Sequence, residues 1–171
     1  VLFRSYFHVS PGKAAFGDFR KFGAGHAAVK VKYDTEFVWN LCRTAEAIDF
    51  PLGVLGEKED KLDHATMIPL YFVNQYYREY RLVRIGFSGL PLPDHYRAGQ
   101  LLQQTAEQLN RKLAVIGSGD LSHCLKKEGP YGYQKEGPLY DKRIMDVMGG
   151  GNFGELLEFP EHFCEKAGEC G

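Results

Sequence analysis

A candidate proton carrier follows the most apolar stretch of the chain. Residues 113–116 read LAVI, and residues 117–123 continue as GSGDLSH. An unbroken apolar run is typical of a strand buried on both faces of an α/β sheet, and the two glycines let the chain turn at the sheet edge where ligands bind. Because the pKa of histidine is nearest neutrality, His123 on this turn is a candidate general acid or base. A capped turn with a solvated imidazole explains the same residues.

A second histidine stands directly beside a carboxylate. Residues 63–70 read DHATMIPL, with Asp63 next to His64. An imidazole held by this carboxylate or by a backbone carbonyl would have a fixed tautomer, as catalysis requires. The same residues also fit an aspartate that starts a helix, with His64 beside it by chance. From the local sequence alone, this simpler interpretation is slightly favoured.

The elements needed to position these residues indicate a layered fold. Apolar periodicity, helix-capping residues and glycine or proline breaks predict strands and helices in alternation. The predicted strands are residues 28–33, 52–55, 82–88 and 113–116. The predicted helices begin near Asp34, Pro69, Pro93 and Pro160, with another that ends at residues 149–151, whereas residues 6–25 are expected to form a loop anchored by aromatics. The expected fold class is α/β, a three-layer α/β/α domain with a mixed, mostly parallel central sheet.

Composition excludes several classes of function. The chain has 171 residues, a formal net charge of −1 and no basic block, so a nucleic-acid partner is not expected. No apolar stretch approaches the length of a membrane-spanning helix. The cysteines at 42, 124, 164 and 170 match no zinc or disulfide pattern, which favours a reduced, cytoplasmic setting.

The two ends indicate a fragment of a longer protein. The chain starts without methionine, and it stops shortly after a helical pattern. Residues 1–5 read VLFRS, which resembles a translated sequencing adapter, so this stretch is expected to be non-native. Residues 1–171 are therefore expected to be one partial domain, lacking its first strand and its C-terminal elements.

Four sequence blocks follow one another in order along the chain. They extend the two stretches above with a turn-rich segment and a late acidic segment, and they read DHATMIPL at 63–70, GSGDLSH at 117–123, GPYGY at 129–133 with EGP at 136–138, and AGECG at 167–171. In this order the blocks resemble the LigB-type class III extradiol ring-cleavage dioxygenase family. The nearest branch is bacterial, often carries a C-terminal AMMECR1 domain and is related to the MEMO proteins.

The resemblance implies a non-haem Fe(II) site and assigns roles by position. Glu169 is similar to the carboxylate ligand of that family, His123 to its acid/base, and His64 to a second histidine that lines the oxygen and substrate pocket. Both iron-binding histidines of the family would lie upstream of Val1, and His8 and His26 do not match them. The implied pocket residues are Asp63, Ser118, Gly119, Asp120, Ser122 and Tyr131.

The resemblance leaves more than one function open. An extradiol dioxygenase would take a small aromatic diol and O2, and dimers are common in the wider family. A MEMO-like metal-binding or accessory protein would share the pocket without cleaving rings. A plain α/β binding module is the third interpretation. The 171 residues by themselves are expected to hold iron weakly or not at all, because two ligands are missing.

Overall fold

The structure is a computed structural model that describes residues 5–56 and 61–169. Residues 1–4, the charged residues 57–60 and residues 170–171 lie outside the described part, so most of the stretch that resembles an adapter is not described. The chain forms two compact units, Val1–Ile116 and Gly117–Gly171. Each unit is built around its own helices and is described separately.

In its described residues, the first unit contains four strands and three helices. Its strands are β1 (Phe7–His8), β2 (Ala14–Phe19), β3 (Ala24–Lys32) and β4 (Leu52–Gly53). Its helices are α1 (Thr35–Glu46), α2 (His64–Val73) and α3 (Leu92–Gln108). The second unit contains α4 (Glu136–Gly150) and α5 (Glu161–Ala167), with a 3-10 turn at Phe153–Glu158 between them.

Parallel and antiparallel pairing both occur in the first unit. Strand β1 pairs in parallel with β4, and the connection between them contains β2, β3 and helix α1. Strands β2 and β3 form an antiparallel pair whose register shifts between Asp18 and Phe19. These helices and the parallel strand pair confirm the α/β class.

The helix α1 shows how sequence signals set an element. The Asp34 side chain accepts a hydrogen bond from the Phe37 backbone N–H at 3.1 Å, which caps the first turn as its position predicts. The apolar stripe that includes Leu41 then faces a core shared with α3, β1 and β4. A second core joins Val29 and Val31 of β3 to Met67 and Leu70 of α2.

Three local predictions are wrong. Residues 113–116 form no strand, because no described segment pairs with their backbone. Their side chains are exposed. Residues 82–88 make isolated bridges, Leu82 with Tyr33 and Ile85 with Val9, instead of a continuous inner strand. Residues 14–19 form strand β2, although glycine and phenylalanine there had indicated a loop.

The start of α2 also differs from expectation. The helix begins at His64, so Pro69 lies inside it and not in its first turn. The capping side chain of Asp63 sets this earlier start. Across the residues that the structure describes, every helix is too short or too polar to cross a bilayer.

Candidate active site

The imidazole of His123 is held between a carboxylate and an aromatic ring. Its Nε2 lies 3.0 Å from Oδ2 of Asp120. The ring of Tyr131 stacks on the imidazole, with 4.9 Å between ring centroids and an interplanar angle of 20°. The side chain of His123 is 28% exposed, so it is partly sheltered and still open to a ligand. The structure therefore brings together three residues of the predicted site.

Ser122 anchors the loop that carries His123. Its hydroxyl donates a hydrogen bond to the carbonyl of Ala167 at 2.6 Å and accepts one from the Cys124 N–H at 3.0 Å. Its own backbone N–H donates to Oδ1 of Asp141 on α4 at 2.8 Å. The side chain of Ser122 is buried, so these hydrogen bonds are protected from competing water. Ser122 thus acts as a structural support of the loop.

The late acidic segment lies beside the His123 loop. The backbone N–H of His123 donates to the carbonyl of Gly168 at 3.1 Å, and Glu169 is the next residue. Gly168 has a φ of 61°, which favours glycine, and it ends α5 in the left-handed conformation. The fold thus brings the chain at Glu169 next to His123 within the second unit.

The charge of Glu169 affects two neighbours on the helices. Burial, and then the Glu169 carboxylate, raise the pKa of Tyr140 to about 12. Burial and the same carboxylate also raise the pKa of the Cys164 thiol. Because each shift favours the neutral form, the hydroxyl and the thiol stay protonated beside the acid at neutral pH.

A close backbone approach requires glycine at residue 137. A Cβ at Gly137 would lie 2.6 Å from Oγ of Ser122 and 2.8 Å from the carbonyl oxygen of Cys124. Any side chain there would force the loop away from the start of α4. Sequence reasoning noted this glycine only within the EGP block, and it gave no local signal for Asp141 as the partner of Ser122.

Two other predicted pocket residues precede this loop. Ser118 and Gly119 lie in an exposed segment without regular secondary structure. Neither residue brings an ionisable side chain to the site.

The first unit holds the other two predicted residues, Asp63 and His64. The Asp63 side chain accepts a hydrogen bond from the Thr66 N–H at 2.9 Å and forms an ion pair with Arg84 at 3.0 Å. His64 is exposed, and its ring centroid lies 5.8 Å from that of Phe22. Asp63 therefore has a clear structural role as a helix cap, as the simpler interpretation of the sequence expects.

The surroundings of Asp63 stabilise its ionised form. Partial burial alone would raise the pKa of Asp63, but hydrogen bonds from Thr66 and the charge of Arg84 outweigh it and lower the pKa. A carboxyl whose folded-state pKa lies below its unfolded value stabilises the fold above the unfolded pKa. The stabilisation by ionised Asp63 is lost as the pH falls through its folded-state pKa.

We expect Asp63→Ala to destabilise the protein by about 1 kcal/mol at pH 7, the usual cost of losing a helix cap. The charge-dependent part of this difference should begin to shrink below the unfolded aspartate pKa of about 4 and disappear as the pH falls through the lower folded-state pKa of Asp63. Urea denaturation at several pH values measures this difference in the free energy of unfolding. The control is Asp63→Asn, whose amide caps without a charge, so its advantage over Asp63→Ala should be the same at every pH. A deficit of Asp63→Ala that is as large at pH 2 as at pH 7 would show that the charge of Asp63 contributes no stability.

We expect Ser122→Ala to cost about 1–3 kcal/mol, because the substitution leaves two buried backbone groups without partners. Amide hydrogen exchange at Cys124 should accelerate, since its N–H loses the acceptor on Ser122. Lys127→Ala, an exposed change in the same segment, serves as the control. Unchanged exchange at Cys124 would show that the hydroxyl does not hold the loop.

The described residues do not fit a complete metal site. Within residues 5–56 and 61–169, no group of three or more histidine, cysteine, aspartate or glutamate side chains could hold an ion. The site nevertheless has parts suited to proton transfer. An imidazole with a carboxylate partner can accept and return a proton next to a bound ligand.

Two comparisons with known proteins give matches. The family described as the catalytic LigB subunit of aromatic ring-opening dioxygenase matches residues 4–171. The chain is also 32% identical over 178 aligned positions to Protein CA_C1420 of Clostridium acetobutylicum. That alignment covers 100% of this chain but 38% of the relative, so the chain spans well under half of the relative's length.

Proposed function

Because the chain belongs to the LigB family of aromatic ring-opening dioxygenase catalytic subunits, we propose that it is part of an Fe(II)-dependent extradiol dioxygenase. The substrate would be a small catechol-like diol, and both atoms of O2 would enter the ring-opened product. We place the activity in the cytoplasm, in keeping with the scattered cysteines. A homodimer and a C-terminal AMMECR1 domain are further proposals for the complete protein.

The observation that supports this proposal best is the His123 loop. The partly buried imidazole of His123 pairs with Asp120. The backbone of His123 is hydrogen-bonded to Gly168, the residue before Glu169. In the proposed reaction His123 takes the proton of a substrate hydroxyl and returns it to the product. A base of this kind contributes typically about 10²–10⁴-fold to a rate.

Glu169 is the proposed carboxylate ligand of the iron. Ferrous oxygenases of this kind use two histidines and one carboxylate and leave positions open for substrate and O2. Since the described residues do not fit a complete site, we propose that the remaining ligands come from other residues of the complete protein. The proposed pocket roles of Asp63 and His64 rest on the family resemblance alone.

Oxygen uptake by the complete protein tests the proposal. We expect a panel of catechols to be cleaved with consumption of O2 when Fe(II) is present and not after chelation. The ring-opened products are followed by their visible absorbance. A protein that binds iron stoichiometrically but cleaves none of the diols would refute the dioxygenase and favour the MEMO-like accessory function.

A further inference from the structure

The hydrogen bond between Asp120 and His123 determines which ring nitrogen carries the proton. Oδ2 of Asp120 lies 3.0 Å from Nε2 of His123. An ionised carboxylate can only accept a hydrogen bond, so Nε2 must carry the hydrogen that it donates. A neutral imidazole has a single N–H, and Nδ1 is therefore left with its lone pair.

The other contacts of His123 fix the ring without using Nδ1. Stacking on Tyr131 holds the plane of the imidazole, and the backbone N–H is bound to the carbonyl of Gly168. Among the residues that the structure describes, no hydrogen bond to Nδ1 occurs. The backbone, the ring plane and one nitrogen are held, while the basic nitrogen remains available.

The exposure of the Asp120–His123 pair indicates that Asp120 orients the imidazole and contributes little to the stability of the fold. The Asp120 side chain is 77% exposed and that of His123 is 28% exposed. Solvent screens a pair this exposed, so its contribution to the stability of the fold is small. A hydrogen bond to one ring nitrogen still selects a tautomer, because the competing tautomer would place a lone pair against the carboxylate.

We propose that Asp120 is a positioning residue that holds His123 as the Nε2–H tautomer and so makes Nδ1 the proton acceptor. The O–H bond of a substrate hydroxyl breaks, the N–H bond forms at Nδ1, and the positive imidazolium then faces the Asp120 carboxylate through Nε2–H. The same proton returns from Nδ1 to a product oxygen. The proton transfer at Nδ1, the catalytic half of this inference, rests on the proposed function. The assignment of the Nε2–H tautomer does not.

Nitrogen NMR of the complete, metal-free protein with 15N-labelled histidine tests the tautomer directly. We expect the His123 signals at neutral pH to show a protonated Nε2 and an unprotonated Nδ1, assigned by their loss in His123→Gln. Asp120→Ala should give a mixture of tautomers. Asp146→Ala, which removes an exposed aspartate of α4 in the same unit, should leave the His123 signals unchanged. A wild-type His123 protonated at Nδ1, or no response to Asp120→Ala, would overturn the proposal.

Steady-state kinetics of the iron-loaded protein test the catalytic half. Asp120→Ala should lower kcat about 10–100-fold, the range for partners that orient a functional imidazole, with KM changed less than about twofold. Asp120→Asn should retain the tautomer through its amide oxygen and restore part of kcat. Equal kcat values for wild type and Asp120→Ala would refute the positioning role. If wild type cleaves no diol while the NMR result holds, the proposed function fails and the tautomer assignment stands.

Discussion

Replacing His123 with alanine is expected to lower kcat for ring cleavage by about 10²-fold or more in the complete protein, the usual contribution of a general acid or base. Iron content should not change, because His123 is proposed to act on the substrate and not on the metal. Stability should also change little, since the side chain is partly exposed and its pair with Asp120 lies at the surface. Oxygen uptake and iron analysis of the same samples measure both quantities.

The matched control is His162→Ala, which removes an exposed histidine from α5 in the same unit. This variant should keep the wild-type rate. If His123→Ala retains full turnover, His123 has no part in the reaction. If it loses iron together with activity, the imidazole is a metal ligand, and its assignment as the acid/base is wrong.

The second large effect is expected for Glu169→Ala, which should lose most of its iron and, with it, ring cleavage. Substitution of groups that only support a metal ligand costs about 10–100-fold in metal affinity, and loss of the ligand itself should cost at least as much. Iron is measured in protein purified under anaerobic conditions, before and after titration with Fe(II).

Glu165→Ala provides the comparison, because it removes an exposed glutamate from the last turn of α5. Its iron content should equal that of wild type. A second readout follows from the neighbours of Glu169: without this carboxylate, the pKa of Tyr140 should fall below about 12, as measured by ultraviolet titration. Full retention of iron by Glu169→Ala would exclude this residue as a ligand, even if the Tyr140 titration responds.

Capping residues made several helices predictable from the sequence. Asp34 and Asp63 each accept a hydrogen bond from the backbone N–H three residues later. The start of α1 agrees with its prediction, whereas α2 begins at its cap and not near Pro69. The end of α4 is a local property, because Gly151 adopts the left-handed conformation expected of a C-terminal glycine. Such signals involve neighbours in the chain and need no knowledge of the fold.

The apolar run at residues 113–116 shows where sequence reasoning failed. A strand exists only when another segment pairs with its backbone, and composition does not reveal whether that partner is present. The described structure leaves these side chains exposed. Strand β2 is the opposite case, because its pairing with β3 overrides a glycine-containing sequence typical of a loop.

The sequence by itself determined the family and the cap of α1, because each depends on residue type and near spacing. Only the tertiary structure decided that Tyr131 stacks on His123, that Ser122 binds Ala167 and Asp141, and that the backbone before Glu169 meets the same loop. These contacts join residues that lie between 8 and 45 positions apart in the chain. Their formation depends on how helices and loops pack in space, which local pattern does not encode.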